Sequence, residues 1–341
     1  MAAAPVRLHF FFLISLLIPT ILASPFVPRS HLVPRGKFTI NNVTGTPQVF
    51  SPVSQQFIPQ GPATNGGGTD FSAAALIWLA FCFVIGTPMA IAGIRGWRLT
   101  TGVGIGLSAA VCSWAAFINS VNNIGVPDAV LAAIILGFFF LGFVLGLFEI
   151  GRAAGIATLG LTGGLAFGIR VFIMREGLLL QGLDSYPVNW VLITLFGLLG
   201  GVAIVWQRIQ RAGILFASAS VGTFLVFLGI DLIINRQSGM SRGLRFLFDR
   251  NASHVLDIIV GGYKPPLSTQ ILLSVSLGLT PILAYAQHRI FKQPFSRKPR
   301  PDSELASLRD YNENEKERQS QTFLAGLWDG AKLKATNRFS L

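Results

Sequence analysis

Seven apolar stretches dominate this sequence and leave little freedom in how it folds. They run approximately over residues 71–94, 100–118, 129–148, 153–173, 188–206, 212–234 and 267–286. A helix needs about 20 apolar residues to cross about 30 Å of hydrocarbon. In that medium each backbone amide must bond within its own segment, so runs of this length fold as helices. The expected fold class is all-α: a polytopic membrane protein with a seven-transmembrane-helix bundle. Pro88 and Pro281 fall inside two of the spans, which membrane helices tolerate. Composition agrees. The chain has 341 residues, of which 51% are hydrophobic and 12% charged, whereas soluble domains carry about 25% charged residues.

The net charge of +12 does not indicate nucleic acid, because the basic residues sit in short connectors and a tail rather than on one folded face. Arg95 and Arg98 follow the first span, Arg152 the third, and Arg208 and Arg211 the fifth. Arg289, Lys292, Arg297, Lys298 and Arg300 follow the seventh. The connector 119–128 has no Lys or Arg. This asymmetry places the basic turns in the cytoplasm and the other connectors outside. One loop disagrees: residues 235–266 carry Arg236, Arg242, Arg245, Arg250 and Lys264 on the expected outer side. Long loops cross with less regard for charge. Trp97 and Trp206 stand at span ends, where indoles favour the interface.

The amino terminus, MAAAPVRLHFFFLISLLIPTILASPF, has one arginine and then a short apolar run, the pattern of a signal peptide over residues 1–23. Residues 24–70 are rich in Pro, Gly, Ser, Thr and Gln and are expected to be a disordered lumenal or extracellular leader. The transmembrane domain covers 71–286, and 287–341 form a cytoplasmic basic tail. Its first residues suit anionic lipid, and its remainder suits a cytoplasmic protein partner. Asn42-Val43-Thr44 and Asn251-Ala252-Ser253 are glycosylation acceptors on the expected outer side. Cys82 and Cys112 both fall in apolar runs and are expected to be buried packing thiols.

A basic turn followed by small residues recurs at Arg98, Arg152 and Arg211. We infer three two-helix hairpins plus a seventh helix, all repeats having one orientation. Glycines four apart lie on one helix face, as with Gly102 and Gly106, Gly142 and Gly146, and Gly160, Gly164 and Gly168. In lipid such faces let backbones approach closely. Bundle packing is the first reading of them, and a pore or homo-oligomer face the second.

The stretches AGIRGWRLTTGVGIGLSAAV, VWQRIQRAGILFASASVGTFLVFLGID and TPILAYAQHRIFKQ carry a family resemblance. With the leader, seven spans and basic tail, the chain resembles the transmembrane-protein-198-like family, whose domain is shared with transmembrane 7 superfamily member 3. The resemblance spans roughly residues 71–292. It implies a multipass membrane protein with no established catalytic residues.

Chemistry is sparse. His9, His31, His254 and His288 have no zinc spacing, and there is no metalloprotease or phosphate-loop motif. No cofactor is expected. Three charges qualify as intramembrane: Glu149, near Arg152, and Arg170 and Asp231, toward the outer ends of the fourth and sixth spans, where a pair across the bundle is open to them. The expected function is a non-enzymatic scaffold or receptor-like signalling component. The alternative is a channel or transporter using Arg170 and Asp231.

Overall fold

The computed structural model describes residues 39–43, 46–51, 54–180, 185–206, 208–291 and 315. The expected signal peptide and nearly all of the tail lie outside them. The chain divides into two units, Met1–Phe295 and Ser296–Leu341, and of the second only Glu315 is described, as helical.

Seven long helices are long and apolar enough to cross a membrane. They are α1 (Ala73–Ala92), α2 (Trp97–Ser120), α3 (Asp128–Leu147), α4 (Arg152–Phe172), α5 (Tyr186–Val205), α6 (Gln210–Asn235) and, after two short helices, α9 (Leu267–Ile290). The short ones, α7 (Met240–Phe248) and α8 (Val255–Gly261), lie in the loop between the sixth and seventh spans. Local chemistry sets several starts. Ser72 caps α1, its Oγ accepting from Ala75 N, and Asp128 places a carboxylate in the first turn of α3.

Burial is inverted relative to a soluble protein. α2, α4 and α6 form the inner row, with α2 against α4 and α4 against α6. α1, α3, α5 and α9 form an outer shell, a third or less buried. The most buried span, α4, is the least apolar of the seven, and the lipid-facing α3 is the most apolar. Gly, Ser and Thr therefore face inward, while Phe140, Leu141 and Val144 face outward.

The spatial unit of the repeat is shifted by one helix relative to the hairpins around the basic turns. α2 packs most closely on α3, α4 on α5, and α6 on both α1 and α9. α2 and α4 thus each pair mainly with the span that follows, whereas α6 is held between α1 and α9 and packs most on α1. Glycines explain the choice. Gly102 and Gly106 meet Gly146 and Gly142 in an antiparallel crossing, where a Cβ on Gly146 would lie 2.6 Å from Gly102 Cα. A Cβ on Gly160 would lie 2.7 Å from Gly200 O, and one on Gly164 would overlap the Phe196 carbonyl. Gly168 rests against the Phe196 ring. Gly163 meets Ala217 between α4 and α6, and Gly222 meets Ala90 between α6 and α1.

The leader is not wholly without structure. β1 (Thr39–Val43), β2 (Thr46–Phe50) and β3 (Phe57–Ile58) form an antiparallel sheet in the order β1-β2-β3, with Thr39 opposite Phe50 and Val49 opposite Ile58. Beyond it the chain is tied down by remote partners. Gln60 Nε2 donates to Ala252 O at 3.0 Å, and Gly66 N to Asp128 Oδ1 at 2.8 Å. Trp78 Nε1 donates to Gly66 O at 2.8 Å, and Trp114 Nε1 to Asn65 O at 2.9 Å. Local composition cannot reveal such long-range partners, so the expected disorder of 24–70 is corrected for its described residues. Together with α7, α8 and the 119–127 connector, they build a folded cap on one end of the bundle.

The glycine contacts predict opposite outcomes for two alanine substitutions. Gly164→Ala should lower unfolding stability in detergent by about 1–3 kcal/mol, because backbone must move. Gly278→Ala, whose new Cβ meets nothing within 4 Å, should leave stability unchanged or raise it by up to about 1 kcal/mol. Denaturant titration followed by circular dichroism checks both.

Candidate functional site

The polar centre is built around Arg170, one of the largest fully buried side chains. It sits in the last turn of α4, but helical Cα–Cβ bonds tilt toward the amino-terminal end. The side chain therefore runs back into the bundle. Nε donates to Ala166 O at 3.0 Å. Nη1 donates to Thr223 Oγ1 at 2.9 Å, Thr280 Oγ1 at 3.1 Å and Ser276 O at 3.2 Å. Nη2 donates to Ser220 Oγ at 2.8 Å and Ser220 O at 3.2 Å. The hydroxyls are themselves anchored: Ser220 Oγ donates to Gly163 O at 2.7 Å, and Thr280 Oγ1 to Ser276 O at 2.9 Å. Phe167 and Phe224 present their rings to the guanidinium. One arginine thus joins α4, α6 and α9 through neutral acceptors.

Arg170 and Asp231 do not pair. Asp231 lies eight residues beyond Thr223 on α6, roughly 12 Å further along the axis, and Arg170 points the other way. The fully buried Asp231 is satisfied separately. Its Oδ1 accepts from Thr269 Oγ1 at 2.6 Å and Asn235 Nδ2 at 2.8 Å, and its Oδ2 accepts from Met240 N. Met240 opens α7, so the carboxylate serves as a remote cap at a helix amino terminus. Gly239 is packed so tightly that a Cβ there would collide with this carboxylate. Glu149 lies in an exposed 3₁₀ turn between spans and forms no ion pair among the described residues. The guanidinium of nearby Arg152 lies over the Trp97 ring instead.

The ring of hydroxyls was not singled out from the sequence. Its signal is spacing: Ser220 and Thr223 are three apart, and Ser276 and Thr280 four apart, each pair on one helix face. The ion-pair chain in the cap was missed as well. Arg242 binds Asp257 at 2.9 Å, Arg245 binds Asp257 at 2.6 Å and Asp249 at 3.4 Å, and His254 Nδ1 meets Asp249 at 2.9 Å. Burial lowers the Arg245 pKa, with Asp257 and Asp249 opposing the shift. Tyr263 donates to Ile173 O at 2.7 Å, and burial, then the Asp231 charge, push its hydroxyl pKa above the usual value.

Asn42 lies in β1 opposite Pro47. Asn251 has a structural use. Its Oδ1 accepts from Ser253 N at 3.0 Å, and its Nδ2 donates to the Ile118 and Val121 carbonyls. Both amide hydrogens of this acceptor site therefore hold the 118–121 segment. Of the two thiols, Cys82 is buried but Cys112 is exposed, a correction to the expected pair of buried packing residues. Its apolar neighbourhood is lipid-facing, which sequence hydrophobicity does not distinguish from core.

Seven apolar spans around an inner row of Gly, Ser and Thr define a multipass membrane protein. The TM7S3/TM198-like domain matches residues 79–288, and the chain belongs to that family. No curated protein and no solved structure matches it.

The buried centre yields two predictions. Arg170→Ala should cost about 2–5 kcal/mol through the cavity it leaves, whereas the similarly long Arg170→Met should stay within about 2 kcal/mol of the parent, since an apolar isostere avoids desolvating a charge. Chemical denaturation in detergent compares them. For Tyr263, a raised folded pKa means the folded state holds its proton longer than the unfolded state. Its contribution is present below the ordinary value of 10.0 and is lost as pH rises above it. Tyr263→Phe should flatten the decline in melting temperature between about pH 10 and 11.

Proposed function

We propose that this protein is a non-enzymatic membrane scaffold or receptor-like component, with its folded cap outside and its basic turns and tail in the cytoplasm. The observation that carries the reading is the saturation of Arg170 by protein acceptors. Every N–H group of its guanidinium is taken by a protein acceptor, so the centre acts as a staple between helices. A permeation path needs polar groups that exchange partners with water or solute. Asp231 is equally committed, to Thr269, Asn235 and Met240, which weighs against a shared Arg170–Asp231 pathway. What remains for function is the outside of the molecule: the cap, the turns and the tail. The tail is the proposed docking segment for a cytoplasmic protein.

Purified protein in liposomes should show no ion or solute flux above empty vesicles. Crosslinking in native membranes should recover protein partners that are lost when residues 296–341 are deleted. Flux abolished by Asp231→Asn would replace the scaffold reading with the transporter. In a secretory-pathway expression system, a glycan should attach at Asn42 and not at Asn251. A mobility shift removed by Asn42→Gln alone is the expected outcome, whereas modification of a site added to the tail would reverse the topology.

A further inference from the structure

Every ion pair among the described residues lies at the cap end. Arg236 pairs with Asp70, Arg242 with Asp257, Arg245 with Asp257 and Asp249, and Lys264 with Glu176. The opposite end is different. Arg95, Arg98, Arg152, Arg208 and Arg289 join no ion pair among the described residues. Its turns contain a single acidic residue, Glu149, which forms no ion pair among the described residues.

Two of these arginines are organised around one indole. The guanidinium carbon of Arg98, in the first turn of α2, lies 5.4 Å from the centre of the Trp97 ring. That of Arg152, the first residue of α4, lies 5.3 Å from it. The arrangement is held by the backbone. Gly155 of α4 backs onto Thr101 of α2, and Thr101 Oγ1 donates to Gly146 O at 2.8 Å. The first turns of α2 and α4 are thereby locked side by side. A guanidinium held near an aromatic ring keeps N–H donors free for a second partner. Trp97 is half-buried and Arg98 exposed.

We propose that Trp97, Arg98 and Arg152 form a binding site for the phosphate of an anionic phospholipid headgroup. The site lies where two membrane-spanning helices begin, the level at which headgroups and interfacial indoles are found. Guanidinium forks match phosphate oxygens in geometry as well as charge. The neighbouring Leu99 and Phe148 are exposed apolar side chains, which gives acyl chains a surface that free phosphate would not use. With the basic turns in the cytoplasm, the site faces the leaflet that is richer in anionic lipid. The inference rests on this geometry and, for the choice of leaflet, on the proposed topology, but not on the scaffold role.

The test titrates full-length protein in neutral detergent micelles with phosphatidylglycerol, phosphatidylcholine or inorganic phosphate, following thermal unfolding, since a ligand that prefers the folded state raises the midpoint. Phosphatidylglycerol should raise the midpoint, and the other two should not. The Arg98→Gln/Arg152→Gln variant should bind phosphatidylglycerol about fivefold more weakly or worse, while Arg236→Gln, at the cap end, should respond like the parent. Added salt should reduce the parent's response. An undiminished response in the double variant, or an equal response to phosphatidylcholine, overturns the proposal. A shift reproduced by inorganic phosphate overturns the lipid assignment in favour of a soluble anion. Should the double variant fail to fold, the single Arg98→Gln variant is decided by the same criterion, because its side chain is exposed.

Discussion

Close backbone approach between helices is the interaction on which the rest of this structure depends. Lipid tails are as apolar as leucine, so burying leucine between membrane helices gains little. What remains is dispersion between surfaces that fit, and glycine lets two helix axes come close enough for backbone to meet backbone. The contacts of Gly102 with Gly146 and of Gly160 with Gly200 are of this kind. They explain why α2, α4 and α6 are less apolar than α1, α3 and α5 outside them, α9 being the exception: the positions that decide packing are occupied by small residues. They also explain the one-helix shift of the repeat. A turn joins two helices covalently, but the complementary glycine faces determine which ones pack.

Once the helices are close, polar groups carried inside have no water to fall back on. The bundle contains two solutions. Arg170 is satisfied by hydroxyls and carbonyls already in helical bonding patterns, and its charge is spread over a planar group between two aromatic rings. Asp231 is satisfied by one helix amino terminus and two side chains. Each links three helices: Arg170 joins α4, α6 and α9, and Asp231 joins α6, α7 and α9. Both links converge on α6 and α9, the pair separated by the longest connector in the domain. The seventh span lacks the glycine-to-glycine crossings seen between α2 and α3, and these polar links take their place.

The sequence announces the membrane class because span length and charge deficit are local properties. The seven spans fall close to their expected limits for the same reason. The family resemblance was also legible, in the basic turns and the small residues after them. What was not legible depends on partners distant in sequence. Periodicity places Gly146 on a face but does not say whether that face meets α2 or α4. Composition gives residues 57–70 no means of folding alone, and they do not fold alone: Gln60, Asn65, Gly66 and Gly67 are held by Ala252, Trp114, Asp128 and Gln237. Arg170 and Asp231 were recognisable as costly charges, yet treating them as each other's partners assumed that buried charges seek opposite charges. Small hydroxyl residues are easily overlooked as ligands because they are also common packing residues in membrane helices.

The cap gives the loop between spans six and seven, the one disagreement with the proposed topology, a use for its basic residues. Five basic residues between spans six and seven run against the positive-inside tendency, which is set by Lys and Arg in short connectors during insertion. A loop of this length is weakly governed by that rule, and here it folds. Arg242 and Arg245 share Asp257, Arg245 also reaches Asp249, and Arg236 reaches Asp70 from the leader. Their charges are spent on holding the cap together and are no longer available to an anionic membrane surface. At the other end the short turns hold one acidic residue, Glu149, and Arg95, Arg98, Arg152 and Arg208 join no ion pair among the described residues. Folding thus sharpens an asymmetry that counting residues blurs: basic groups stand at both ends, but among the described residues every ion pair lies at the cap end.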